Sequence, residues 1–138
     1  MFKTGVFALA AGMTFAGAAS AADVTGLWLS RDGREVRIER CGESICGRTV
    51  TSPQLTADPA SLDVKNKNPA LRTRPLKGLL IMQGFQAAGD GWVGGSLYDP
   101  KSGLTYKGSL DPVGPDRLKV TGCIMLPMCG MQVLSRVK

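Results

Sequence analysis

Polar and apolar positions alternate along most of this chain. Over 35–41, Val36 and Ile38 fall on one face and Arg37 and Glu39 on the other, the two-residue period of a half-buried strand. Segments of the same character recur over 24–30, 45–51, 79–87, 92–98, 104–110, 117–124 and 129–137. Turn chemistry separates most of them: Gly42-Glu43-Ser44, Gly89-Asp90-Gly91, Asp99-Pro100-Lys101-Ser102-Gly103, the stretch 112–116, and Leu126-Pro127. No amphipathic run of helical length competes with these strands, and no internal repeat is evident. Eight antiparallel strands joined mostly by hairpins can bury one face only by folding onto themselves. An up-and-down barrel or a tight sandwich achieves that, and the expectation is an all-β, eight-stranded antiparallel barrel. One stretch breaks the pattern. Residues 52–77 carry Pro53, Pro59, Pro69 and Pro75 among Lys, Asn and Arg, so one long loop follows the third strand. Loops of that length are usually functional or disordered.

Composition narrows the chemistry. The chain has 138 residues, enough for one domain, with a net charge of +6, four cysteines and no histidine. Without imidazole there is no Ser-His-Asp triad, no Cys-His pair and no histidine metal site. The beginning reads as a secretory leader: Met1-Phe2-Lys3 supplies a positive start, 5–19 is uncharged and apolar, and Ala19-Ser20-Ala21 fits a cleavage site. Cleavage after Ala21 would take the chain from 138 to 117 residues, 22–138, and the loss of Lys3 would take its charge from +6 to +5. A periplasmic or secreted location follows, with no membrane-spanning segment in the mature chain.

Export changes the meaning of Cys41, Cys46, Cys123 and Cys129. An even number of cysteines in an oxidising compartment favours disulfides, and the C-x4-C and C-x5-C spacings do not match tight zinc knuckles. Each pair brackets a turn, so local pairing, 41 with 46 and 123 with 129, is expected. No metal or other cofactor is called. Met125, Met128 and Met131 offer three thioethers that could suit Cu(I), although side chains on alternate positions of a hairpin need not converge.

Gly26-Leu27-Trp28 has the G-x-W form found at the start of lipocalin-like barrels, where the Trp plugs the closed end and a basic residue of the last strand lies across its ring. Arg136 stands where that partner would fall. Further motifs follow in order: Cys41-Gly42-x-x-Ile45-Cys46-Gly47, Asn68-Pro69, Arg74-Pro75-Leu76-x-Gly78, Trp92-x-Gly94-Gly95-x-Leu97-Tyr98-Asp99-Pro100-x-x-Gly103-x-x-Tyr106, and Gly122-Cys123 to Cys129-Gly130. Together they resemble the exported bacterial family catalogued as domain of unknown function 2147. The resemblance implies a lipocalin-like barrel and structural roles for Gly26, Trp28 and Arg136. It implies no reaction. Where family members tend to be acidic around the Asn-Pro segment, this chain has Lys65, Asn66 and Lys67.

Two functional classes remain open. In the first, a non-catalytic binding module takes a small apolar or amphipathic ligand at the barrel mouth beneath the long loop. Trp92, Tyr98 and Tyr106 would line the mouth, Arg74 would meet an acidic head, and Asn68, Arg72 and Asp99 would stand nearby. Asp99 also reads as simple turn chemistry, and Arg74 as an anchor for the loop. In the second class, a filled barrel uses the loop cations Lys65, Lys67, Arg72, Arg74 and Lys77 to contact an envelope partner or anionic surface. Either protein would be a monomer. Nucleic acid is not an expected partner for an exported chain with no recognised binding motif.

Overall fold

The computed structural model describes residues 22–125 and 128–138, together with Gly12. The expected leader over 1–21, Gly12 apart, and the Leu126-Pro127 turn lie outside the described residues.

Eight strands form a closed antiparallel barrel in simple chain order: β1 (Gly26–Leu29), β2 (Glu35–Cys41), β3 (Ser44–Thr51), β4 (Leu80–Ala88), β5 (Gly91–Asp99), β6 (Leu104–Pro112), β7 (Arg117–Met125) and β8 (Met128–Arg136). The alternation read along 35–41 becomes register here. Gly26, Leu27 and Trp28 lie opposite Ile38, Arg37 and Val36, so Val36 and Ile38 are buried while Arg37 faces solvent. The core gathers Trp28, Val36, Ile38, Ile45, Phe85, Trp92, Leu110 and Leu118 along the axis. A bore this narrow holds such large side chains only where a neighbouring strand carries none. A Cβ on Gly95 would fall 2.3 Å from the Phe85 ring, and one on Gly108 2.4 Å from Leu97, so these interior glycines are vacated space. The β5–β6 register slips between Val93 and Gly95, a bulge at the paired glycines Gly94-Gly95.

Both cysteine pairs bond locally, Cys41 with Cys46 and Cys123 with Cys129, each across a hairpin. The loop after β3 is folded rather than loose. Ser52 caps a short helix, α1 (Pro53–Ala57), by accepting a hydrogen bond from the Leu55 N–H at 3.2 Å, and Leu55 and Leu76 both enter the core. A single 3-10 turn follows at Pro69–Leu71 with Asn68 as its cap.

The seam is where the cylinder is weakest. Among the described residues β1 meets β8 through Trp28↔Arg136 and Leu29↔Ser135, and β8 has no other strand beside it on that side from 128 to 134. The length mismatch between a four-residue and a nine-residue strand leaves the barrel wall incomplete above Leu29.

Candidate functional site

The two ends of the barrel are built differently. At the end holding both chain ends of the barrel, Trp28 donates its indole N–H to the Val24 carbonyl at 2.9 Å, and the Arg136 guanidinium lies 4.3 Å from its ring centroid. Arg136 also donates to the carbonyls of Thr25 and Pro115 at 2.7 and 2.9 Å, tying β1, β8 and the β6–β7 turn together. Gly26, at φ +133°, brings the backbone so close that a Cβ there would fall 2.5 Å from the Lys138 carbonyl oxygen. The Gly of the G-x-W motif is therefore the point where β1 crosses the chain terminus. Trp92 belongs to this end as well: it is buried, donates to the Ala22 carbonyl at 3.2 Å and has Arg40 over its ring at 5.5 Å.

The opposite end is open. A cavity of about 340 Å³ lies inside it, walled by Val36, Ile81, Met82, Leu97, Tyr106, Val120 and Leu134, and reaching the seam at Gly130, Met131 and Gln132. Charged groups stand at its mouth. Lys101, from the β5–β6 turn, forms an ion pair with Asp32, from the β1–β2 turn, and Ser30 donates its hydroxyl to the same carboxylate. Burial works to raise the Asp32 pKa, but the hydrogen bonds from Lys101 and Ser30 and the charges of Arg34 and Lys101 outweigh it and bring it down to about 2. Asp99 receives the Lys101 backbone N–H and the Ser102 hydroxyl, each at 3.0 Å. Arg34 completes the rim, 3.9 Å from Asp99.

A second polar cluster holds the wall. Asp63, on the long loop, is 1 % exposed and accepts three hydrogen bonds, from Asn66 Nδ2 at 2.9 Å, Arg74 Nε at 2.9 Å and the Tyr98 hydroxyl at 2.5 Å. The Arg74 guanidinium also lies 5.3 Å from the Tyr98 ring centroid. Burial opposes ionisation of Asp63, yet these three donors and the Arg74 charge hold its carboxyl below the usual range. The Tyr98 hydroxyl is pushed up to about 12 by its own burial and then by the bond to Asp63. Tyr98 is a cavity wall residue, so the loop determines the position of part of the pocket. Contact is closest at Gly103, at φ +72°, where a Cβ would fall 1.9 Å from the Lys65 carbonyl oxygen.

Of the seven residues expected around a ligand, Tyr98, Asp99 and Tyr106 line the cavity. Arg74 stands behind Tyr98 with its charge directed to Asp63. Trp92 is placed at the other end of the barrel, in the core, because its position near the start of β5 puts it by the chain ends. Asn68 and Arg72 stay within the loop: Asn68 caps the 3-10 turn, and Arg72 donates to the Asn66 carbonyl at 2.8 Å. Asp32, Arg34, Asp63 and Lys101 did not stand out in the sequence as ligand or wall residues. One signal was present: Asp63 is the acid nearest the loop cations in the sequence. The thioethers are divided, since Met125 pairs directly with Met128 while Met131, three positions further on, falls on the other face of β8.

The architecture and its family can now be joined. The profile of the family described as "Uncharacterized protein conserved in bacteria (DUF2147)" matches residues 26–136, the span from β1 to the end of β8. The chain belongs to this family. Within the DUF2147 span lie the barrel, the long loop and every residue at the mouth of the cavity. No curated protein matches the sequence. Among solved structures, a Helicobacter pylori protein described as belonging to the lipocalin family superposes with a TM-score of 0.76 at 18% identity, over 86% of this chain and 85% of the other. At that identity the likeness is one of fold. Two disulfides are compatible with an exported protein, and no helix among the described residues is long and apolar enough to cross a membrane.

Proposed function

We propose that this protein is an exported, non-catalytic binding module that takes a small amphipathic molecule into the open end of its barrel. The observation that carries the reading is the cavity: at about 340 Å³ it falls at the small end of the range that ligand pockets occupy, with a mainly apolar wall and charged groups at its mouth. In this reading Tyr98, Asp99 and Tyr106 contact the ligand, while Asp63 and Arg74 keep Tyr98 in place. The carboxylates support a binding role over acid–base chemistry. A general acid at neutral pH needs a raised pKa, whereas those of Asp32 and Asp63 are lowered.

Native mass spectrometry of protein purified from the envelope of its own cells tests this. A reproducible non-covalent adduct of small mass is expected. A clean apo mass, together with failure of apolar probes to bind the purified protein, would overturn the reading. The alternative, a contact role for the basic loop, draws on Lys65, Lys67 and Lys77, which are exposed and enter no ion pair among the described residues. It would be favoured by salt-sensitive binding to anionic vesicles that disappears when the three are changed to Ser.

A further inference from the structure

Arg34 is the cavity's unspent cation. The other charged groups at the mouth have close partners: Lys101 is paired with Asp32, Asp32 also receives the Ser30 hydroxyl, and Asp99 receives the Lys101 N–H and the Ser102 hydroxyl. The Arg34 side chain is only 15% exposed and lines the cavity, yet its guanidinium makes no hydrogen bond among the described residues, and its paired carboxylate, Asp99, is 3.9 Å away. A guanidinium carries five N–H donors in a planar fork, and one beside a cavity that makes no hydrogen bond among the described residues has that fork available to an acceptor. The group that satisfies such a fork is an oxyanion accepting two parallel bonds. Tyr106 and Gln132 line the same cavity, and their side chains also make no hydrogen bond among the described residues.

We infer that the ligand is an anionic amphiphile, its carboxylate or other oxyanion head held by Arg34 at the mouth and its short apolar body lying against Val36, Ile81, Leu97 and Val120. This rests on the binding reading above and names the ligand's chemistry. The rim carboxylates do not bar such a head, because each has donors of its own and can keep them when Arg34 turns to the ligand. A cationic head would leave Arg34 unanswered and add a like charge beside it.

The test is isothermal titration of the full mature protein with three probes of equal chain length: decanoate, decanol and decyltrimethylammonium, all below their aggregation concentrations. Decanoate is expected to bind about tenfold or more tighter than decanol, with decyltrimethylammonium weakest. Arg34→Gln should remove the preference for decanoate and leave decanol binding unchanged. Arg34→Lys, which keeps the charge and loses the fork, should retain only part of it. Thermal unfolding of both variants checks that they are folded, and the wild-type ranking of the three probes stands as a test should either fail. Equal binding of decanoate and decanol, tighter binding of the cationic probe, or an undiminished preference in Arg34→Gln would overturn the assignment and leave the cavity reading standing. Failure of all three probes to bind wild type would overturn both.

Discussion

The two ends of this barrel solve opposite problems with similar residues. At the closed end two tryptophans fill the bore, each indole N–H has a carbonyl acceptor, and Arg136 spends its guanidinium on one ring and on backbone carbonyls. At the open end the bore is not filled. The side chains around it are held from outside, Tyr98 by the loop through Asp63 and Asp32 by Lys101 across the mouth, and the Arg34 guanidinium makes no hydrogen bond among the described residues. Arg136 and Arg34 thus show the same group in two states. The first guanidinium is bonded into the structure, while the second, beside the cavity, has Asp99 at 3.9 Å and makes no hydrogen bond among the described residues.

This contrast can be tested from the strongest expected effect downwards. Trp28→Ala removes the plug and leaves Arg136 without its ring. It should destabilise the protein by about 4 kcal/mol in denaturant unfolding, and a loss under about 1 kcal/mol would show that the closed end is not the structural one. Asp63→Ala strands the Tyr98 hydroxyl and Arg74 and should cost about 3 kcal/mol, with hydrogen exchange rising first in the 52–79 loop. Gly103→Ala places a Cβ against the Lys65 carbonyl in a backbone conformation that alanine resists, and should cost about 2 kcal/mol and loosen the same loop. Asp32→Asn breaks an exposed ion pair and should change stability by less than about 1 kcal/mol while altering ligand association rates, since the pair spans the mouth.

The carboxylates and the tyrosine of the open end respond to pH in opposite directions. Asp32 and Asp63 have folded pKa values below the unfolded value near 4, so their stabilisation is present above that value and disappears as pH falls through the lowered one, toward about 2 for Asp32. Tyr98 has a folded pKa of about 12, above its unfolded value near 10. Its contribution is complete below pH 10 and is lost as pH rises toward 12. Tyrosine absorbance should therefore show one hydroxyl titrating late, and Asp63→Asn should bring it back toward the ordinary value.

How much of this was legible in the chain differs between the ends for a physical reason. Gly26-x-Trp28 and Arg136 could be matched from sequence through their resemblance to the lipocalin-like motif, and the structure pairs Trp28 with Arg136 across the β1–β8 seam. From sequence Trp92 is expected at the mouth with Tyr98 and Tyr106, whereas the structure buries it at the other end, because its end depends on how far along β5 it sits once the strands are aligned. In the sequence Arg74 reads both as a ligand contact and as an anchor for the loop, and Arg72 as a residue near the ligand. Only folding shows that Arg74 reaches Asp63 and Tyr98 while Arg72 turns back on its own loop.

The amino-acid sequence by itself determined the strand count, the barrel topology, the local disulfides and the family, because each rests on local pattern or on motif order. The tertiary structure alone decided that the bore stays open at one end, that the seam is short above Leu29, and that Arg34 meets Asp99 at the mouth. Those properties depend on distances between residues far apart in the chain: Arg34 and Asp99 are separated by 65 positions and approach to 3.9 Å only when the barrel closes.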